Sequence, residues 1–152
     1  MAVRGKTLHG QYQVRNPQKY KGVGMPTYRS GWESQFMQFC DNNSSILSWA
    51  SESVKIPYRN PLTGKQTVYI PDFLISYVDK NGTVHGELIE IKPAKETFKE
   101  SVRSQMDAER YAVNQEKWKA ASAWSKRMGV KFRILTEHDL FAGTKPKNRR
   151  RK

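Results

Sequence analysis

The chain has 152 residues, enough for one domain with extended ends, and carries 27 Lys and Arg against 14 Asp and Glu, a formal net charge of +13. Its single cysteine, Cys40, excludes an intrachain disulfide, and one Cys with three scattered His (His9, His85, His138) gives no zinc spacing. The sequence shows no 18-residue apolar run and no signal-peptide pattern, which excludes a membrane-spanning helix and leads us to expect a cytosolic chain.

Residues 1–27 are rich in Gly, Lys, Gln, Asn, Pro and Tyr and show no periodicity. They read as an extended basic arm, with Tyr12, Tyr20 and Tyr28 placed to anchor it on the core or on a partner. Through residue 30 there are six basic residues (Arg4, Lys6, Arg15, Lys19, Lys21, Arg29) and no acid. Ser30-Gly31-Trp32-Glu33 fits a capping box, in which Ser caps the helix and Glu bonds back to the cap. Trp32, Phe36 and Phe39 then recur at helical spacing, which predicts a buried stripe on a helix ending near 41–43.

A first strand is predicted over about 50–58, where Val54 and Ile56 alternate with Ser53 and Lys55. Asn60-Pro61-Leu62-Thr63-Gly64 marks a turn, and a second strand follows at about 66–78. The Asn81-Gly82 pair predicts a tight hairpin into a third strand over about 83–92, so the three strands form an antiparallel meander. Thr97-x-x-Glu100 reads as a second capping box, followed by Phe98, Val102 and Met106 and later by Trp118, Ala121, Trp124 and Met128. Asn114 falls between the two stripes and is a candidate break; Gly129 suits the left-handed position after a helix. Residues 130–135 form a fourth strand, and Thr136-x-x-Asp139 starts a short terminal turn. The order α-β-β-β-α-β predicts an α+β domain over 28–141, a small mixed sheet flanked by helices. The tail 142–152 adds six more basic residues (Lys145, Lys147, Arg149, Arg150, Arg151, Lys152) and no acid.

The middle of the chain, 31–141, has fifteen basic and fourteen acidic residues and is nearly neutral. The excess charge therefore lies on the two ends. Such ends give sequence-independent, salt-dependent affinity for phosphates; a solubilising tail is the plainer reading. Neither end shows an amphipathic apolar face, which argues against membrane-surface binding.

Pro71-Asp72 and Glu90-Ile91-Lys92 lie eighteen residues apart on adjacent predicted strands. Strand alternation places Asp72 with Ile70 and Leu74, and Glu90 with Lys92, while Ile89 and Ile91 face the other way. If the two faces coincide, two carboxylates and an ammonium converge. Mg²⁺ or Mn²⁺ takes one or two carboxylates and keeps several waters, and it activates a bound water while neutralising phosphate charge. Asp72 and Glu90 are the candidate ligands, the Ile91 carbonyl a further oxygen, and Lys92 the group beside the water. Each part has a plainer reading: a Glu-x-Lys ion pair, and an Asp after Pro at a turn. Charges in the apolar stretch Leu88–Lys92 are costly without compensation, which favours a metal site. Glu33 is either a helix cap or an acid completing the site from the first helix. Glu52 reads as a strand-surface charge and Gln105 as part of a solvated helix face.

The combination resembles the PD-(D/E)XK nuclease superfamily. In that pattern Glu33 matches the first-helix acid, Pro71-Asp72 the Pro-Asp, and Glu90-Ile91-Lys92 the E-x-K; Phe132–Leu140 looks like the closing strand of TnsA-like members. Within it, Tyr28–Glu33, Trp49–Glu52, Ile56–Tyr58, Tyr69–Phe73, Leu88–Pro93 and the opening Met1–Lys6 resemble the head completion nucleases of T4-like tailed phages. The resemblance implies a restriction-endonuclease-like core and a Mg²⁺- or Mn²⁺-dependent endodeoxyribonuclease. Its catalytic residues would be Glu33, Asp72, Glu90 and Lys92, with Glu33 a further metal ligand. It implies double-stranded DNA as partner, together with portal or neck proteins, and a place in the host cytoplasm during assembly or at the virion head vertex. Two alternatives stay open: a non-cutting head-completion protein, and a junction-resolving nuclease acting as a symmetric dimer.

Overall fold

The computed structural model describes residues 9–140. The phosphate-binding candidates Arg4, Lys6, Lys145, Lys147, Arg149, Arg150, Arg151 and Lys152 lie outside the described residues. The elements are β1 (Gly10–Gln11), β2 (Thr27–Tyr28), α1 (Gly31–Asn42), β3 (Ile46–Ser51), β4 (Ile56–Arg59), β5 (Gln66–Tyr69), β6 (Phe73–Val78), β7 (Val84–Ile91), α2 (Gln105–Met128), β8 (Lys131–Leu135) and α3 (Glu137–Leu140). The main sheet has the order β3-β6-β7-β8, antiparallel except for the parallel pair β7–β8, whose crossover carries α2. The chain order α1-β3-β6-β7-α2-β8 is the predicted α-β-β-β-α-β core, an α+β fold with a mixed sheet between helices.

Alternation along the strands divides the apolar side chains between two layers. Phe73, Ile75, Ile89 and Ile91 pack with Phe36, Met37 and Cys40 of α1. Leu88 and the partly buried Leu74 and Phe132 pack on the other face, with Trp118 and Ala121 of α2 and with Ile56, Tyr58 and Tyr69 of the β4–β5 ribbon.

Four predicted elements differ, each for a local reason. The strand expected over 50–58 is two strands in two sheets, because the chain leaves the main sheet at Glu52, whose φ is 50°. The strand expected over 66–78 is cut at Ile70-Pro71-Asp72, where Pro71 has no N–H to give a ladder; β5 turns away to pair with β4. The capping box at Thr97 does not form: two short 3-10 turns, Ala94–Glu96 and Lys99–Ser101, occupy that stretch. Helix α2 starts instead at Ser104, whose Oγ accepts from the Asp107 N–H at 3.1 Å, and Asn114 lies buried inside an unbroken helix. Phe39, expected in a buried stripe, is exposed, as are Phe98, Met106 and Met128 of the later stripes. The buried line of α1 is Phe36, Met37, Cys40 and Asp41.

Residues 9–27, expected as an extended arm, run along the core. Strand β1 pairs with β2, and Lys19 and Lys21 exchange backbone bonds with Trp49 (Trp49 N–H to the Lys19 carbonyl 3.0 Å, Lys21 N–H to the Trp49 carbonyl 2.8 Å). Tyr20 packs edge-on against Trp49, ring centres 4.6 Å apart, and Tyr12 donates to Asp41. The tyrosines thus anchor this segment on the core, where it covers the open edge of β3.

Gly129 ends α2 in the left-handed region at φ 76°, and its N–H and that of Val130 reach back to the last turn. A side chain there meets the left-handed penalty, so Gly129→Ala is expected to lower stability by about 1 kcal/mol. The check is a lower urea midpoint at an unchanged slope.

Candidate active site

The Phe73–Ile89 and Leu74–Leu88 pairs set the register between β6 and β7, and one step further Asp72 comes opposite Glu90. The two predicted faces do coincide. Glu90 lies on the α2 side with Leu88, while Ile89 and Ile91 point into the α1 layer. The break at Pro71 frees Asp72 from the ladder and turns it onto the neighbouring strand. Its Oδ2 accepts the Ile91 N–H at 2.7 Å, and its carbonyl accepts the Glu52 N–H at 2.9 Å. Asp72 is therefore held by backbone on both sides.

Glu90 is 7% exposed. Its Oε1 accepts the Tyr69 hydroxyl at 2.8 Å, and its Oε2 lies 3.7 Å from Lys92 Nζ. The Lys117 ammonium, from α2, sits 5.5 Å above the Tyr69 ring. Burial, then the charges of Glu90 and Glu33, push the Asp72 carboxyl well above the usual carboxylate range, against the pull of the Ile91 N–H and Lys92. Burial also raises Glu90, with Lys92, Tyr69 and Lys117 opposing. Glu33 is raised by burial and by Glu52 and Glu90, and held down by the Arg29 N–H and the Arg29 charge. Burial and the like charge of Lys92 lower Lys117. The site is thus an acidic pocket whose carboxylates resist full ionisation until positive charge arrives.

Asp72, Glu90 and Lys92 come together as expected, and Glu33 faces them closely enough to feel both acids. The Ser30 Oγ accepts the Glu33 N–H at 3.1 Å, as in a capping box, but the Glu33 carboxylate accepts from the Arg29 N–H at 2.8 Å, one residue ahead of the cap. Among the described residues, no group of three or more His, Cys, Asp and Glu is disposed to hold a metal ion. The two carboxylates that come together most closely with Lys92 beside them are Asp72 and Glu90. Ile91 gives its N–H to Asp72, and its side chain is buried; the expectation concerned its carbonyl.

Two basic residues assigned to DNA have other work. The Lys19 ammonium donates to the carbonyls of Asp41 (3.0 Å) and Asn43 (2.8 Å), pinning the end of α1. The Arg29 guanidinium holds both oxygens of Glu52, at 3.0 and 3.1 Å. Glu52 is therefore not a loose surface charge: it fixes Arg29, whose N–H fixes Glu33. Arg15 and Lys21 are exposed. Gln105 bonds Glu109 at 3.1 Å on the first turn of α2. Sequence reasoning missed Tyr69 and Lys117 as neighbours of Glu90. Tyr69 sits beside the Pro-Asp string, but nothing in the sequence sets Lys117 apart from the other charges of α2.

The family described as "TnsA-like endonuclease N terminal" matches residues 43–137, a stretch that contains Asp72, Glu90 and Lys92 and begins after Glu33. The head completion nuclease of Enterobacteria phage T4 is 37% identical over 144 residues, covering 88% of this chain and 93% of its own.

Proposed function

This chain belongs to the TnsA-like endonuclease family, and from that membership we propose that it is a Mg²⁺- or Mn²⁺-dependent endodeoxyribonuclease acting in phage head completion. The observation that carries the chemistry is the meeting of Asp72 and Glu90, a buried acid raised further by the Glu90 charge beside it, with Lys92 3.7 Å from Glu90. Such a donor set fits a hard divalent cation that keeps most of its waters. Asp72 and Glu90 would hold it, with the Ile91 carbonyl as a further oxygen and Glu33 as a further ligand. When bound, the cation polarises the phosphate and makes its bound water acidic.

The chain's own residues do the rest. Tyr69 fixes the Glu90 carboxylate, and the Ile91 N–H fixes that of Asp72. Lys92 orients the attacking water and offsets the charge that builds on the phosphoryl oxygens as the new P–O bond forms and the bond to the sugar oxygen breaks. The proton lost by the water leaves through solvent, and the departing sugar oxygen gains one.

The setting we propose is packaged DNA at the portal vertex, with portal or neck proteins as partners, and the host cytoplasm as the place of assembly. The name of the T4 relative supports head completion. Among the described residues no helix is long and apolar enough to cross a membrane. A non-cutting head protein is the less favoured reading, since three buried acids, two of them raised further by neighbouring acids, are costly without a ligand. The test is nicking of supercoiled plasmid by the purified protein. Open circles should form in Mg²⁺ or Mn²⁺, and none in EDTA or with Asp72→Ala, which still binds DNA. Equal cutting in EDTA, or by Asp72→Ala, sinks the proposal.

A further inference from the structure

Three concavities of about 410 Å³ each meet at one residue, Arg110 of α2. One opens on Glu33 and Lys92 of the active site. The second runs between α2 and the turn that joins β4 to β5, with Lys92, Lys117 and Asn114 inside and Leu62, Met106 and Val113 as walls. The third continues under the 3-10 turns, past Lys95, Phe98, Arg103 and Tyr111. Together they form one trough that shares Arg110 and runs past Glu33 and Lys92 of the site.

Three features of this trough point to a ligand. Its cations outnumber its acids: Lys92, Arg110 and Lys117 face Glu109 in one arm, and Lys95, Arg103 and Arg110 face Glu96 and Asp107 in the other. Asn114 is 4% exposed, and its amide nitrogen has no hydrogen-bond partner among the described residues; a buried donor left unpaired is uncommon and calls for one. Leu62, Phe98 and Met106 are 53%, 53% and 66% exposed along the rim. A regular duplex presents sugars and phosphates to such a rim and leaves these side chains against hydrated charge. An unpaired strand presents phosphates to the cations and the apolar faces of its bases to the rim.

We propose that the trough binds a single, unpaired strand of DNA, so that the nuclease acts on frayed, gapped or melted segments rather than on regular duplex. This rests on the nuclease reading and names its substrate class. Lys117 and Asn114 would hold a phosphate next to the one cut, while Phe98 and Met106 cover the bases.

The experiment separates this proposal from the nuclease reading because it needs no metal. The full-length protein is titrated in EDTA against a fluorescent 16-nucleotide single strand and against the same sequence as duplex, by anisotropy. The expected result is tighter binding of the single strand. Phe98→Ala should weaken that binding about tenfold, in line with roughly 1–3 kcal/mol per base stacked on an aromatic ring, Met106→Ala should weaken it less, and both should leave duplex binding unchanged. Both residues are exposed, so neither change threatens folding. Equal affinity for the two forms overturns the proposal, as does single-strand affinity that survives both substitutions. Loss of plasmid nicking alone, with the strand preference intact, would count against the nuclease reading and not against this one.

Discussion

Asp72→Asn is expected to abolish plasmid nicking and, in the absence of metal, to raise the melting temperature. The two effects have one cause. Asp72 is held where burial and the charges of Glu90 and Glu33 oppose its ionised form. Asparagine keeps an oxygen to accept the Ile91 N–H, now made at 2.7 Å, and removes the repelled charge. About 1 kcal/mol moves the midpoint of a domain of this size by roughly 2–4 °C, so a rise of a few degrees is within reach of calorimetry. The pH dependence follows with its sign. A carboxyl whose pKa is raised on folding costs nothing while both states hold the proton. The cost enters as pH rises through the ordinary carboxylate value and is complete above the raised folded value. Wild-type protein without metal should therefore lose stability over that interval, and Asp72→Asn should lose less. Saturating Mg²⁺ should restore the wild type and do little for the variant. Lys92→Ala should likewise stop nicking but lower the melting temperature, since it takes a cation from beside Glu90. A variant of Asp72 that is less stable than wild type without metal would contradict the picture of a repelled acid.

The core order and the pairing of Asp72 with Glu90 were legible because both rest on alternation, which the sequence displays directly. Phe73 and Ile75 against Leu74, and Ile89 and Ile91 against Leu88 and Glu90, sort onto the two faces as read. The breaks were not legible, because alternation continues across them. Val54 and Ile56 keep the period of β3, yet the left-handed turn at Glu52 puts β4 in another sheet. That departure also shapes the site. The β4–β5 ribbon carries Tyr69 to Glu90, and the cut at Pro71 turns Asp72 onto the Ile91 backbone. The start of α2 was misplaced because Thr97-x-x-Glu100 and Ser104-x-x-Asp107 offer the same capping chemistry, and only tertiary packing decides between them. Lys117 was invisible for a related reason: its place opposite Glu90 depends on how α2 is rotated over the sheet, and neither stripe of apolar residues fixed that rotation. The net charge was easier to count than to locate. Lys19 and Arg29 serve the fold, and cations from the nearly neutral middle, Lys92, Arg110 and Lys117, surround the site instead.

Asp41→Ala is expected to release the N-terminal segment and to cost about 3 kcal/mol or more. Asp41 has no solvent exposure. Its carboxylate accepts the Tyr12 hydroxyl and the Arg15 N–H, each at 2.7 Å, and the Asn16 N–H at 3.0 Å, with the Asn16 amide at 3.2 Å. Alanine leaves those donors facing a cavity at the end of α1. Burial alone would raise this carboxyl, but the Arg15 N–H, the Tyr12 hydroxyl and Asn16 together hold it below the ordinary range. The sign here is opposite to that of Asp72. An acid lowered on folding stabilises fully above its unfolded value, and that contribution is lost as pH falls through the ordinary carboxylate range toward the folded value. Acid should therefore unlatch the segment before it unfolds the sheet. Tryptic cleavage after Arg15, Lys19 and Lys21, followed against pH, checks this. In Asp41→Ala those sites should be cut readily at neutral pH, while in wild type they should open only in acid. Because the same segment leads through β2 to Arg29, whose N–H holds Glu33, the variant should also nick DNA more slowly. That would couple the latch on the edge of the sheet to the acid at the mouth of the site.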